Sequence, residues 1–290
     1  RGWVSLDTDS RADTPLLLPA AASPPALTSE QAGAVSEICA GHGEYRPFLL
    51  LGVTGSGKTE VYLHAIAATL RAGKQALLLV PEIALTPQLE TLVALRFPGT
   101  RTVSLHSGLA ESERLEHWQA ARDGQARIVL GTRLAVFAPL PELGLIVVDE
   151  EQDSSFKQSE GFRYSARDLA VTRARQRGVP IVLGTATPAF ETYHNAVTGR
   201  YRLLELPTRI GAPPPHIACI DTRTEKLADG LSQRLLAAVH ERLAAGEQSL
   251  VFINRRGYAP VLMCRACGWI SGCHRCSAQL VLHLAERRLR

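Results

Sequence analysis

Gly52-Val53-Thr54-Gly55-Ser56-Gly57-Lys58-Thr59 combines the residue types that a polyphosphate needs. Glycines let backbone amides turn toward a phosphate at a helix N-terminus, a lysine can bridge β- and γ-phosphates, and a threonine hydroxyl can reach Mg²⁺. Gly52, Gly55, Ser56, Gly57, Lys58 and Thr59 are therefore the candidate nucleotide-binding residues, with ATP as the ligand. A second cluster closes the apolar run Leu145 to Val148 with Asp149 and Glu150. A carboxylate at the end of a neighbouring strand would join Thr59 around Mg²⁺, and the next acid would orient or deprotonate an attacking water. Lys58, Asp149 and Glu150 are the candidate catalytic residues. A third cluster is Cys264-x-x-Cys267 and Cys273-x-x-Cys276, whose spacing suits thiolate ligation of Zn²⁺ better than a disulfide framework.

These residues need a scaffold that delivers strand ends to one edge. Apolar runs at Phe48 to Val53, Ala76 to Val80, Thr102 to Leu105, Arg127 to Leu130, Leu145 to Val148 and Ile181 to Leu183 alternate with helix-length segments. Two of those segments show helical apolar spacing, at Val61, Ala65, Ala68 and Thr69 and at Leu169, Val171, Thr172 and Ala174. Strands that read as continuous Val, Ile and Leu are buried on both faces, so the pattern predicts an α/β fold, a parallel sheet with helices on both sides. Near Leu206 a Pro-rich stretch interrupts the rhythm. A second domain is expected there, with strands at His216 to Ile220 and Ser249 to Ile253 and a helix from Leu231 to Ala245.

A chain of 290 residues that is 46% hydrophobic and 21% charged can bury one large core plus part of another. Its apolar runs are strand-sized, short of the ~20 residues that span a bilayer, so no membrane partner is expected. The opening residues lack the features of a signal peptide, and the cysteine pattern suits a reducing compartment, which together predict a cytoplasmic protein. A net charge of +4 permits nucleic-acid binding without arguing for it. Residues 1–26 read as a Pro- and Ala-rich linker, and a start at Arg1 suggests that further chain precedes it.

Longer strings carry a resemblance. Asp149-Glu150-Glu151-Gln152 resembles motif II of the superfamily 2 helicases, and Gly184-Thr185-Ala186-Thr187-Pro188 their motif III. Within that superfamily FLLLGVTGSGKTEVY, LLLVPEIALTPQ, IVLGTRLAVFAPLPELGLIVVDEEQD, FKQSEGFRYSARDLA and LVFINRRGYAPVLMCRACGW resemble the replication-restart helicases from Leu27 to Cys276. The resemblance implies a RecA-like ATP-binding lobe over 27–207, the start of a second lobe over 208–260 and part of a zinc-binding insertion over 261–290. It also implies an ATP-dependent 3′-to-5′ DNA helicase or translocase acting in replication restart and primosome assembly. Forked and single-stranded DNA, primosome proteins and single-stranded-DNA-binding protein would be its partners, and a DNA-binding region would precede Arg1.

Residue by residue, the resemblance makes Gln31 an adenine-reading glutamine, although a helix-surface glutamine would sit at the same place. It assigns His106, Ser107 and Arg133 to the DNA backbone. Lys157, Phe162, Arg163 and Tyr164 would belong to an aromatic-rich loop that couples DNA to hydrolysis, and any of its aromatics could equally anchor the core. One departure stands out: Gln152 replaces the family's usual histidine. The resemblance also implies that the two cysteine pairs each supply half of a different zinc site, where their spacing alone would suggest one four-thiolate centre. Because the arginines of a complete second lobe are absent before Arg290, the sequence also admits a nucleotide-binding but catalytically silent module.

Overall fold

The computed structural model describes residues 25–81, 87–211, 216–222, 225, 227, 228, 230–252, 262–264, 267–283, 288 and 289. Most of the 1–26 linker lies outside them. The chain divides into two compact units between Pro214 and Pro215.

In the first unit the chain runs α1 (Ser29–Ala40), β1 (Pro47–Gly52), α2 (Lys58–Arg71), β2 (Gln75–Leu79), α3 (Pro87–Arg96), β3 (Thr102–Leu105), α4 (Glu111–Arg122) and β4 (Ile128–Gly131). A 3₁₀ turn (Arg133–Phe137) then leads to β5 (Leu143–Asp149), the two-residue strands β6 (Lys157–Gln158) and β7 (Tyr164–Ser165), α5 (Ala166–Arg177), β8 (Ile181–Thr185), α6 (Phe190–Val197) and β9 (Arg202–Leu206). Seven strands form one sheet in the order β3-β4-β2-β5-β8-β1-β9, and every pairing in it is parallel.

The sheet is covered on both sides, which is why its strands carry apolar residues at successive positions. In β2, Ala76 and Leu78 pack with residues of α1, α2 and α3, while Leu77 and Leu79 pack with residues of α4 and α5. The helix spacings predicted from sequence need one correction. α5 buries Ala166, Ala170 and Ala174, an alanine stripe at four-residue steps, whereas Leu169 and Val171 are only partly buried. Small residues there bring the helix axis close to the sheet. The sheet also holds β9, an edge strand not expected from the sequence, because Arg202 and Glu205 break its apolar run at solvent-facing positions.

The second unit contains the hairpin β10 (Leu227–Ala228) and β11 (Leu231–Ser232), then α7 (Gln233–Ala244), and the pair β12 (Leu282–His283) and β13 (Arg288–Leu289). Ser232 caps α7, accepting from the Leu235 N–H at 3.1 Å. Two predicted strands do not form. Residues 216–220 carry no strand pairing, and neither do 249–252, where Leu250 and Phe252 stand exposed; Ile253 lies outside the described residues. Apolar residues at strand spacing make a strand only when a neighbouring strand takes their backbone groups.

Candidate functional site

All of the phosphate-binding candidates lie at the carboxyl edge of the parallel sheet. β1 delivers the loop 52–57, β5 delivers Asp149, and β8 lies between them, so the loop and the acids face each other across one strand. This edge is where open α/β sheets take ligands. Thr54, Gly55, Ser56, Gly57, Lys58, Thr59, Asp149 and Glu150 line a cleft of ≈ 270 Å³ there.

The loop's shape follows from its glycines. Gly57 caps α2 in the left-handed conformation (φ 78), open to glycine and strained for other residues, and any Cβ there would run into the Gln31 carboxamide. α2 then presents its first N–H groups and the positive end of its dipole to the cleft. Lys58 Nζ donates to the Gly52 carbonyl at 3.0 Å and stands 3.9 Å from Glu150 Oε1. The Ser56 hydroxyl is buried without a protein partner. An unmet donor, a left-handed glycine turn and a lysine at a helix N-terminus fit a nucleotide polyphosphate, and Thr59 with Asp149 fit its Mg²⁺.

Asp149 is largely buried. Desolvation is the main reason its carboxyl is held above the usual range, and the Tyr62 hydroxyl, which donates to Asp149 Oδ1 at 2.9 Å, opposes that rise. Glu150 follows in the left-handed region (φ 47), the one non-glycine at positive φ among the described residues, a conformation costing roughly 1–2 kcal/mol. Glu150 Oε2 accepts from Gln152 Nε2 at 2.9 Å, and Gln152 Oε1 accepts from the Thr185 hydroxyl at 2.6 Å. In place of histidine, Gln152 therefore makes a neutral bridge from the acid pair to β8.

Glu151 does more than end a strand. It is almost fully buried and accepts from the Ala189 N–H at 2.7 Å, the Thr192 hydroxyl at 2.8 Å and Arg167 Nη1 at 3.1 Å. Arg167 lies in the first turn of α5, directly after the segment predicted to meet DNA. None of these three partners of Glu151 was legible in the sequence; the only local signal is a third acid following two others.

Gln31 lies on neither an exposed helix face nor an open pocket. It is buried at the start of α1, where Thr28 and Gln31 form a reciprocal cap, and its Nε2 donates to the Ser56 carbonyl at 2.9 Å. The glutamine thus fastens the phosphate loop.

The remaining polar candidates gather two strands away. Thr132 N–H donates to the Leu105 carbonyl, joining the ends of β3 and β4, so His106 and Arg133 leave neighbouring strands at the same edge, and Ser107 follows exposed. Arg133 Nη1 donates to the Ser155 carbonyl at 3.2 Å. β6 and β7 pair antiparallel, matching Lys157 with Ser165 and Gln158 with Tyr164, which puts Phe162 and Arg163 in the exposed turn. Phe156 is a core anchor, whereas Phe162 is 76% exposed. The Tyr164 ring meets Phe162 at 5.8 Å and Phe137 at 5.1 Å between centroids, the latter edge to face. Phe137 was not anticipated. The hydroxyls of Ser155 and Tyr164, two residues near Arg133, are buried without partners.

The profile of the DEAD/DEAH box helicase family matches residues 28–196, a span that includes the loop, the acids and the aromatic hairpin. The chain belongs to the DEAD/DEAH box helicase family. This helicase chain is 44% identical to the replication restart protein PriA of Haemophilus influenzae over 266 residues, 91% of this chain and 36% of that protein. It is 42% identical to the PriA of Bacillus subtilis over 271 residues, 91% of this chain and 33% of the relative. The helicase chain thus spans about a third of the length of these relatives. Its family uses ATP with Mg²⁺, and no helix among its described residues is long and apolar enough to cross a membrane.

In the second unit, Cys264 N–H donates to the Trp269 carbonyl and Gly268 N–H to the Cys264 carbonyl, a tight turn around the first cysteine pair. Cys273 and Cys276 stand together; an N–H from Arg275, then the Cys276 thiol, hold the Cys273 thiol below its usual pKa. Among the described residues no three His, Cys, Asp or Glu side chains converge as a metal site, so the four cysteines are not brought together.

Proposed function

We propose that this chain is the ATP-binding part of a DNA motor that moves 3′ to 5′ and restarts replication. The observation that carries the reading is the facing of Lys58 and Glu150 across the cleft, with the Asp149–Gln152 turn tied through Glu151 and Arg167 to the aromatic hairpin. Lys58 and the loop amides hold the polyphosphate, and Gln31, the glutamine that the resemblance gives to adenine, holds the loop in place through the Ser56 carbonyl. Bound Mg²⁺, held by Thr59 and Asp149, would neutralise charge on the phosphate oxygens. Glu150 accepts a proton from the attacking water.

His106, Ser107, Arg133, Lys157 and Arg163 contact the phosphates of single-stranded DNA, and Phe162 and Tyr164 stack on its bases. The exposed ring of Phe162 in the turn beside Arg163 favours this reading, because bases can stack on it from solvent. The resemblance extends it to forked DNA, primosome proteins and single-stranded-DNA-binding protein as partners in the cytoplasm. It also supports lobe 1 over 27–207, the start of lobe 2 over 208–260 and a zinc region over 261–290, in which Cys264 with Cys267 and Cys273 with Cys276 each give two ligands to a different Zn²⁺.

The test is ATP turnover with and without oligo(dT), in wild type and Glu150→Gln. Wild type should be stimulated by the oligonucleotide, and Glu150→Gln should bind ATP yet not turn it over. Turnover indifferent to DNA, or a fully active Glu150→Gln, would remove the motor reading. Strand displacement on duplexes tailed at either end then fixes the direction.

A further inference from the structure

One side-chain contact at the nucleotide cleft joins residues far apart in the sequence. Tyr62 lies in the second turn of α2, and its side chain is essentially fully buried. Its hydroxyl reaches Asp149, 87 positions later, at 2.9 Å. Room for that reach comes from β8, where Gly184 is the register partner of Asp149. A Cβ at Gly184 would run into the Tyr62 hydroxyl and ring, so glycine is required there by the tyrosine rather than by backbone conformation. One hydrogen bond therefore joins the helix that starts at Lys58 to the strand that ends at Asp149, over the space that Gly184 leaves in β8.

Resting on the ATP-binding reading above, we propose that Tyr62 is a positioning residue for the Mg²⁺ that accompanies the nucleotide, acting through Asp149. A carboxylate on a single rotatable side chain can present either oxygen to the cleft. A donor fixed in a packed core removes that freedom by occupying Oδ1 from the interior side. Partners of metal-binding carboxylates commonly contribute 10- to 100-fold to metal affinity through such orientation. The same hydroxyl supplies a buried carboxylate with the hydrogen bond it needs when no cation is near. Nothing in this arrangement touches the polyphosphate itself, which the loop amides and Lys58 face. Tyr62 is therefore expected to affect binding of the metal and leave binding of the metal-free nucleotide alone.

The experiment is a pair of titrations on the full chain, wild type and Tyr62→Phe, which keeps the ring and removes the hydroxyl. Calorimetry first measures ATP binding in the presence of a chelator, then the Mg²⁺ concentration that half-saturates the tighter, metal-assisted binding. The expected result is ATP affinity without Mg²⁺ within about twofold of wild type, and a Mg²⁺ requirement raised about tenfold. An unchanged Mg²⁺ requirement overturns the proposal, as does an equal loss of affinity with and without Mg²⁺, which would make the hydroxyl a general support of the loop.

A measurement on the wild type covers the case in which the variant does not fold. In protein carrying ¹³Cζ-labelled tyrosine and loaded with ADP, the Tyr62 resonance should move when Mg²⁺ is added, because its acceptor changes partner. A resonance that stays still refutes the role. Failure of the underlying reading looks different: the wild type would then bind ATP neither with Mg²⁺ nor without it.

Discussion

The nucleotide corner and the aromatic hairpin share one sheet edge, but they differ in how their side chains are held: the corner's acids all have partners, and only its Ser56 hydroxyl is buried without one. At the corner, Asp149, Glu150, Glu151 and Gln152 each have a hydrogen-bond or ion-pair partner within the fold, and these partners come from α2, β8, α5 and the turn before α6. At the hairpin, Phe162 faces solvent and the hydroxyls of Ser155 and Tyr164 are buried beside Arg133 with nothing to meet. One region is already arranged for its chemistry, as preorganised catalysis requires. The other exposes an aromatic ring and, on the reading proposed above, meets a ligand that supplies flat faces. The two are connected because Arg167 follows the hairpin and ends on Glu151.

The largest expected effect tests that connection. Arg167→Ala would leave Glu151 charged and buried, and losing one partner of a buried pair costs roughly 3–5 kcal/mol. The exposed pair Arg202–Glu37 is the control, since Arg202→Ala should cost about 0–1 kcal/mol. Urea unfolding of both variants decides it; equal costs would show that the corner is no better organised than the surface.

Next comes Lys58→Ala, which should weaken ATP binding about 100-fold by removing charge-assisted contacts that the loop amides cannot replace. Calorimetric titration reads it, and equal affinity in the variant would detach the cleft from nucleotide. Phe162→Ala follows, with oligo(dT) affinity falling by about 1–3 kcal/mol and the unfolding midpoint unmoved. A lowered midpoint with unaltered DNA affinity would turn the exposed ring into a packing residue and erase the contrast.

The smallest effect concerns pH. Burial raises the Asp149 pKa, so folding favours its protonated form; the penalty of keeping it ionised is full above the raised pKa and disappears as pH falls toward the ordinary carboxylate value. Asp149→Asn should therefore raise Tm at pH 7, on the order of 2–4 °C, and lose that advantage in acid. A variant less stable than wild type at pH 7 would mean that Asp149 supports the fold.

What the sequence revealed follows from how local each signal is. The phosphate loop is contiguous and framed by a strand and a helix, and Asp149 with Glu150 closes an apolar run, so both could be read directly. Tyr62 and Arg167 could not, because their roles depend on contacts 87 and 16 positions away. Gln31 was singled out, yet its burial against the Ser56 carbonyl depends on α1 lying beside the loop. β9 escaped because an edge strand keeps polar residues on its open side. Ser249 to Ile253 misled for the opposite reason, with strand-forming residue types and no strand beside 249–252 to pair with.

The order of the sheet also dictates when the cleft can come into being. β1, which carries the phosphate loop, pairs only with β8 and β9, although it precedes every other strand of this sheet in the sequence. At ~5–20 residues per second of synthesis, roughly ten to thirty seconds separate Gly52 from Leu206. Until β8 is complete at Thr185, Phe48, Leu49 and Leu50 belong to an apolar strand with neither neighbour available. The phosphate loop and the acid pair therefore come to face each other only after β8, made last of the three strands that frame them, has entered the sheet.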